Sequence, residues 1–535
     1  MWRTRSSGAL LCLLATLPCV ALRPAEDWNA NAQKALAEAL QLHHNLGVAK
    51  NVILFLGDGM GMSTVTAARI YKGQTNGQPG EETLLNFEKF PHVALSKTYN
   101  VDRQTADSAG TATAFLCGVK ANMATLGVDS SVLRKQCDKL DTGKVPSILR
   151  LFIDVGRSTG IVTTSRLSHA TPGAAYAHTP ERYWEGDVDM EEVDDLCKRK
   201  VKDITAQLVE DNPEIKVILG GGRRTFLPND TVDPDTQAIN SKKGRRDSKN
   251  LIEIWKQSKP KSSKSSYVWN KKQFDAVDDS ETDFLLGLFS TSHMEYELKR
   301  DPSKEPSLVD MVKKAIKLLS KDNRGFFLLV EGARIDHAHH DNLAHLALAE
   351  TVAMDDAVAV AKDMTGDDTL IVVTADHSHV MTVGGYPQRG NDILGLVTPV
   401  NDAEAPFDGM PFATLSYTNG PGPGRVNLTG INTTSLDHQQ SALVRMPWET
   451  HGGEDVGIYA TGPMSHLFHG VHEQNYIAHV MAYAACVGPN TQHCQQRGEV
   501  HTCSGAASLN TLFMFKGFML TVVVIVGCVR MTHTV

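Results

Sequence analysis

Six short apolar runs, bounded by glycines or polar turns and separated by helix-patterned stretches, constrain this chain more than any other feature. The runs are Val52 to Leu56, Gly160 to Thr164, Val217 to Leu219, Phe326 to Val330, Leu370 to Thr374 and Val456 to Ala460. Runs of this length read as strands buried on both faces. Between them, Ser108 to Phe115 is rich in small residues, while Leu308 to Leu319 and Asn342 to Met364 repeat apolar residues at helical spacing. The alternation predicts an α/β fold, a large and mostly parallel central sheet with helices on both faces. With 535 residues, 41% of them hydrophobic, there is ample material for a core. The balance of 53 basic against 61 acidic side chains gives a formal charge of −8, which excludes a general nucleic-acid binder.

Both ends read as processing segments. Residues 1 to 21 carry Arg3 and Arg5, an apolar stretch from Ala9 to Leu17, and small residues at Cys19-Val20-Ala21, the pattern of a secretory signal peptide. At the other end, Ser504 to Ser508 are followed by a short spacer with Lys516 and an apolar tail from Phe518 to Val529. That order is the signal for a GPI lipid anchor on Ser504, with 505 to 535 removed. The uninterrupted tail is short of the roughly 20 residues a transmembrane helix needs. The mature catalytic domain is then 22 to 504, on the extracellular face of the cell membrane. An oxidising compartment favours pairing of Cys117, Cys137, Cys197, Cys486, Cys494 and Cys503, for which the sequence alone allows fifteen connectivities. Sequons at Asn229, Asn427 and Asn432 mark candidate glycosylated surface loops.

Two stretches break the α/β pattern. Residues 241 to 272 hold eleven Lys or Arg against two acids and read as a solvated loop rather than a polyanion-binding patch. Residues 382 to 448 are rich in Gly, Pro, Thr and Asn and read as an inserted surface subdomain.

The chemistry lies where strands end, the edge at which open α/β sheets bind ligands. Val52 to Leu56 leads to Asp58; Phe326 to Val330 leads to Glu331, Asp336 and His340; Leu370 to Thr374 leads to Asp376 and His377. On a helical turn Asp336 and His340 share a face. Carboxylates with neutral imidazoles suit zinc in an open catalytic site, and an all-oxygen subset suits magnesium. Affinity order alone does not separate zinc from cobalt or nickel. Ser108 starts a small-residue helix, where free N–H groups attract an oxyanion or phosphate; as a plain structural feature, Ser108 or Asp107 is its N-cap. No Gly-x-Ser-x-Gly elbow surrounds Ser108, so its activation calls for metal rather than a triad.

Five segments, Phe55 to Gly61, Thr105 to Ala109, Glu331 to His337, Thr374 to His379 and Glu449 to Glu454, carry a resemblance to secreted metazoan alkaline phosphatases from about Asn51 to Cys494. The resemblance implies hydrolysis of small phosphate monoesters through a phosphoserine at Ser108, with two zinc ions and one magnesium as cofactors. It assigns Asp336, His340 and His451 to one zinc and Asp58, Asp376 and His377 to the other. Magnesium falls to Asp58, Thr171 and Glu331, with His169 beside it, and Arg182 to the phosphate oxygens, where a guanidinium fork fits. The same resemblance pairs Cys137 with Cys197 and Cys486 with Cys494, leaves Cys117 free, and implies a homodimer. A fourth, calcium-like site maps to Asp235, the Phe289 carbonyl, Ser290 and Glu305, with Ser290 where the family usually has a carboxylate. His337 and His379 read as tuning groups, and His466, His469 and His472 as surface or interface groups. A phosphodiesterase or sulfatase on the same scaffold, and an inactive surface protein, are the alternatives; no expected ligand is missing from the sequence.

Overall fold

The computed structural model describes residues 25–397 and 405–495. Its strands are β1 (Asn51–Gly57), β2 (His92–Lys97), β3 (Ser158–Arg166), β4 (Val217–Gly221), β5 (Ser265–Val268), β6 (Phe284–Leu288), β7 (Phe326–Gly332), β8 (Thr369–Ala375), β9 (Ser378–His379), β10 (Met381–Val383), β11 (Leu415–Gly420), β12 (Ala442–Arg445), β13 (His451–Gly452), β14 (Val456–Thr461) and β15 (Val471–Glu473). Ten of these form one sheet in the order β15-β2-β14-β8-β1-β7-β3-β4-β6-β5. All six apolar runs are strands of it. β14 alone runs antiparallel to its neighbours β2 and β8.

The apolar runs work as strands because both faces are covered. Along β1, Val52, Leu54 and Leu56 enter one core, with Phe115 and Leu116 of the helix Ser108–Cys117 and Met481 of the helix Tyr476–Ala485. The alternate residues Ile53 and Phe55 enter a second core, with Val65 of the helix Met62–Thr75, Met311 of the helix Leu308–Leu319 and Met354 of the helix Ala344–Met364. A strand sandwiched in this way has no polar face to display, which is why its sequence shows no alternation.

Three features depart from the sequence reading. Residues 241 to 272 are not a loop: they contain the helices Leu251–Gln257 and Lys271–Asp275 and the edge strand β5. Their bases are spent locally, Lys243 on Asp189, Lys249 on Glu210, Lys264 on Glu281, and buried Arg245 on Asp203 and Asp247. Strands β2 and β6 were not among the runs; β2 is half-exposed, and its single-face burial gives it a weaker signature. Ahead of β1 stands a helix, Ala25–Leu40, with no buried residue.

Within 382 to 448, β11 and β12 join β10 in a separate three-stranded sheet. Cys137 and Cys197 are joined by a disulfide with Cα atoms 5.3 Å apart; Cys486 and Cys494 are also in the disulfide form. Cys117 is free, and burial pushes its thiol up to about 12. The Cys137 bridge closes a loop spanning 60 positions, for which chain entropy predicts about 4 kcal/mol of stability. A Cys137→Ser, Cys197→Ser double variant is expected to lose about that much in denaturant unfolding; an unchanged midpoint would contradict it. Cys503, Ser504 and the two processing segments lie outside the described residues.

Glu350, on the helix Ala344–Met364, is wholly buried and accepts the Glu297 N–H at 2.5 Å. Burial pushes its carboxyl up to about 7. Its folded value therefore lies above the unfolded one of about 4.3. The stability it contributes is full below about pH 4 and is lost as pH rises through 7. Glu350→Gln keeps the acceptor and removes the ionisation. Thermal melts are expected to show the variant a few degrees more stable than the parent at pH 9 and no better at pH 4.5; equal melting at pH 9 would refute the assignment.

Candidate active site and metal centre

Sheet register delivers the site. Gly57 at the end of β1 pairs with Gly332 of β7 and Ala375 of β8, so Asp58 and Asp376 each emerge one residue beyond the same row. Glu331 lies one row back, level with Leu56 and Thr163. After β7 the chain turns into the helix Arg334–His340, which sets Asp336 and His340 on one face. His451 arrives on β13, which pairs with β9 so that His451 lies opposite His379.

Asp336, His340 and His451 converge. Asp336 Oδ1 is 3.3 Å from the Nε2 atoms of His340 and His451, and these are 3.3 Å from each other. His340 Nδ1 donates to the Glu449 carbonyl at 2.6 Å, and His451 Nδ1 to the Ala106 carbonyl at 2.7 Å. These bonds fix the tautomers and turn both Nε2 lone pairs toward the shared point. Ligand distances of about 2.0–2.1 Å at a tetrahedral angle separate ligand atoms by roughly 3.3–3.4 Å, so the triangle fits a zinc-sized ion.

A second group lies alongside, the His377 and His451 rings stacking at 3.5 Å. His377 Nε2 is 3.0 Å from Asp376 Oδ2, 3.7 Å from Asp58 Oδ1 and 3.2 Å from Ser108 Oγ. Asp376 Oδ1 is taken by the N–H groups of Gly59 and His377, Oδ2 faces only the His377 ring, and among the described residues neither oxygen of Asp58 has a hydrogen-bond partner. Beside them, Glu331 Oε2 accepts from Thr163 and Ser165, while Glu331 Oε1, Thr171 Oγ1 and His169 Nδ1 have no hydrogen-bond partner among the described residues. Burial, then the charges of Asp376, Asp336 and Glu331, hold Asp58 well above the ordinary carboxylate range. Burial also pushes Glu331 up to about 7. Buried carboxylate oxygens facing one another without donors are expensive unless cations sit among them. The residues fit metal ions.

Ser108 opens the helix Ser108–Cys117, with Asp107 as N-cap accepting from Ala109 and Gly110. Asp107 also takes Asn100 Nδ2, the Ala124 N–H and Arg182 Nη1, the last at 3.0 Å. Arg182 Nη2 reaches His169 Nε2 at 3.2 Å. The cap of the Ser108–Cys117 helix thus anchors Arg182. His379 bridges Asp336 and Glu449; burial opposes its charge, but Glu449 and Asp336 outweigh that and push it up to about 10. With a carboxylate at each nitrogen it orients Asp336. Glu449 had no signature of its own, because its role depends on the fold returning it to β9. Arg166, forked onto Glu185, and His293 beside His169 and His337 were also not foreseen.

At the calcium-like position, Glu305 accepts the Glu295 N–H, the Ser290 carbonyl already takes the N–H groups of Gly222 and Arg223, and the exposed Asp235 lies 3.9 Å from the buried Arg223 guanidinium. The Phe289 carbonyl, a serine hydroxyl and two carboxylates, one of them facing an arginine, are fewer ligand groups than the roughly six to eight oxygens calcium takes.

A family model for alkaline phosphatase matches residues 49–487. The chain belongs to the alkaline phosphatase family. It is 49% identical over 511 residues to the tissue-nonspecific alkaline phosphatase of Felis catus, covering 94% of this chain and 96% of that one. To the tissue-nonspecific isozyme of Gallus gallus it is 50% identical over 500 residues, covering 91% and 95%. The crystal structure of Thermus thermophilus alkaline phosphatase superposes with a TM-score of 0.57 at 22% identity, covering 86% of this chain and 95% of that one, and attests the fold. This alkaline phosphatase is a metal-dependent hydrolase of phosphate monoesters.

Proposed function

We propose that this phosphatase acts through a phosphoserine at Ser108, with Asp336, His340 and His451 holding one zinc, Asp58, Asp376 and His377 a second, and Asp58, Thr171 and Glu331 a magnesium. The observation that carries the reading is the 3.3 Å triangle of Asp336, His340 and His451 next to a serine Oγ 3.2 Å from His377. Such ions supply Lewis acidity to the attacking and leaving oxygens of an in-line displacement. The chain does the positioning. Ser108 Oγ forms the bond to phosphorus as the ester oxygen leaves, and water then breaks the P–Oγ bond. The Arg182 fork, held by Asp107, meets two oxygens of the transferred group. Acid quenching during monoester turnover, followed by mass spectrometry, is expected to find one phosphate on Ser108; a phosphate on another residue, or none, sinks the proposal.

Arg182 is expected to act on binding. Arg182→Ala should raise KM for a simple monoester about 10- to 100-fold and weaken inhibition by inorganic phosphate in parallel, with a smaller change in kcat. An unchanged inhibition constant for phosphate would remove Arg182 from this role.

The same proposal takes residues 1–21 as a secretion signal, 22–504 as the catalytic domain with 382–448 inserted, and Ser504 as the GPI attachment site on the extracellular face of the membrane. The disulfides favour that compartment. Asn427 and Asn432 are exposed and Asn229 is half-buried, which suits them to carry glycans. The helix Ala25–Leu40, exposed throughout and bearing Trp28, Leu36 and Leu40, favours a homodimer.

A further inference from the structure

One strand of the inserted segment touches three stretches of chain that carry proposed ligand residues, those of Asp336 and His340, of Asp376 and His377, and of His451. The inserted sheet adds no ligand itself. Along β11 burial alternates: Leu415 and Tyr417 are buried and Asn419 half-buried, while Thr418 between them is exposed. Side chains two apart share a face, so Tyr417 and Asn419 point the same way.

Each meets a different partner. The Tyr417 hydroxyl is 2.8 Å from His339 Nδ1, and His339 Nε2 is 3.0 Å from Thr64 Oγ1. His339 is fully buried on the helix Arg334–His340, between Asp336 and His340. Asn419 makes a reciprocal pair with Thr450, the residue before His451: its Nδ2 donates to Thr450 Oγ1 and its Oδ1 accepts the Thr450 N–H, both at 2.9 Å. The β11 backbone pairs with β10, and the Thr418 N–H donates to the Val380 carbonyl at 3.0 Å, four residues after Asp376. Past the helix, buried Asn342 accepts the Gly422 N–H at 2.8 Å and donates to the Asn419 carbonyl at 3.3 Å.

We infer that β11 is a template for the metal centre, and that Tyr417 and Asn419 are positioning residues that hold the Asp336–His340 helix against the His451 strand. The inference rests on the reading of Asp336, His340 and His451 as metal ligands. Neither side chain reaches that cluster directly. Each acts through one intermediate, His339 or Thr450, and removing it leaves the buried His339 or the half-buried Thr450 without its partner. Ligands held loosely lose their ion faster, in the way that second-shell substitutions weaken metal sites by about 10- to 100-fold.

The test is metal release from the zinc- and magnesium-loaded enzyme, followed with a chromogenic zinc chelator. Tyr417→Phe, Asn419→Ala and, as a control on the exposed face, Thr418→Ala are compared with the parent. One zinc-release phase is expected to quicken at least tenfold in Tyr417→Phe and Asn419→Ala while the other keeps its rate, with Thr418→Ala like the parent. Activity lost by the two variants should return when zinc is in excess. Release at the parental rate, or equal quickening of both phases, overturns the inference. Tyr417→Phe removes a single hydroxyl and decides the question if Asn419→Ala does not fold. Failure of the underlying reading looks different: His451→Ala would then release both zinc ions as the parent does.

Discussion

Replacing Ser108 with alanine is expected to leave a folded protein whose monoester turnover falls by about 10⁴-fold or more, the scale on which hydrolases lose rate when the attacking atom is deleted. Little in the fold depends on that hydroxyl. Asp107 supplies the helix cap and Arg182 is held by Asp107, so the binding geometry survives the change. Binding of inorganic phosphate should accordingly change less than tenfold while kcat collapses. The measurement is steady-state turnover with phosphate inhibition on the same preparation. Retention of more than about a hundredth of the parental kcat would mean that another oxygen attacks phosphorus.

Stripping the metals is expected to have the second largest effect, on two observables at once. Activity should fall by about 10³-fold or more and return when zinc and magnesium are restored. The melting temperature should fall too, by about 10 °C. Asp58, Glu331, Asp336 and Asp376 are buried together, and several of their oxygens have no donor; ions that bind the folded state tightly contribute about 4 kcal/mol or more to its stability. Calorimetry before and after chelation, with readdition, checks both. A chelated enzyme that melts like the loaded one would mean that these carboxylates are satisfied without cations.

The fold and the centre of the site were legible because burial writes itself into composition. The strands that lead to Asp58, Glu331 and Asp376 are covered on both faces, and apolar residues fill most of them. The Asp336 and His340 pair was legible because a helix converts a spacing of four into a shared face. What was hidden depends on chain segments meeting from afar. His451 and Thr171 came from family likeness alone, and their neighbours state no periodicity. Glu449, Tyr417 and Asn419 matter only because β10, β11 and β13 fold back on the ligand segments, and no local pattern reports that. The stretch 241 to 272 misled in the opposite sense: its many bases suggested solvent, yet Arg245 is buried and paired with buried Asp203 as well as Asp247, and β5 completes the sheet edge.

β1 has a consequence for the order of events in the life of the chain. It is the first strand among the described residues, yet it lies between β7 and β8, which come off the ribosome only after most of the protein exists. Until then Asp58 has no neighbours of its own kind, and His451 is later still. Sheets closed by such distant pairings are slow to form. Any ion held between Asp58 and its partners on β7 and β8 is therefore captured late, after the chain has delivered strands far apart in sequence.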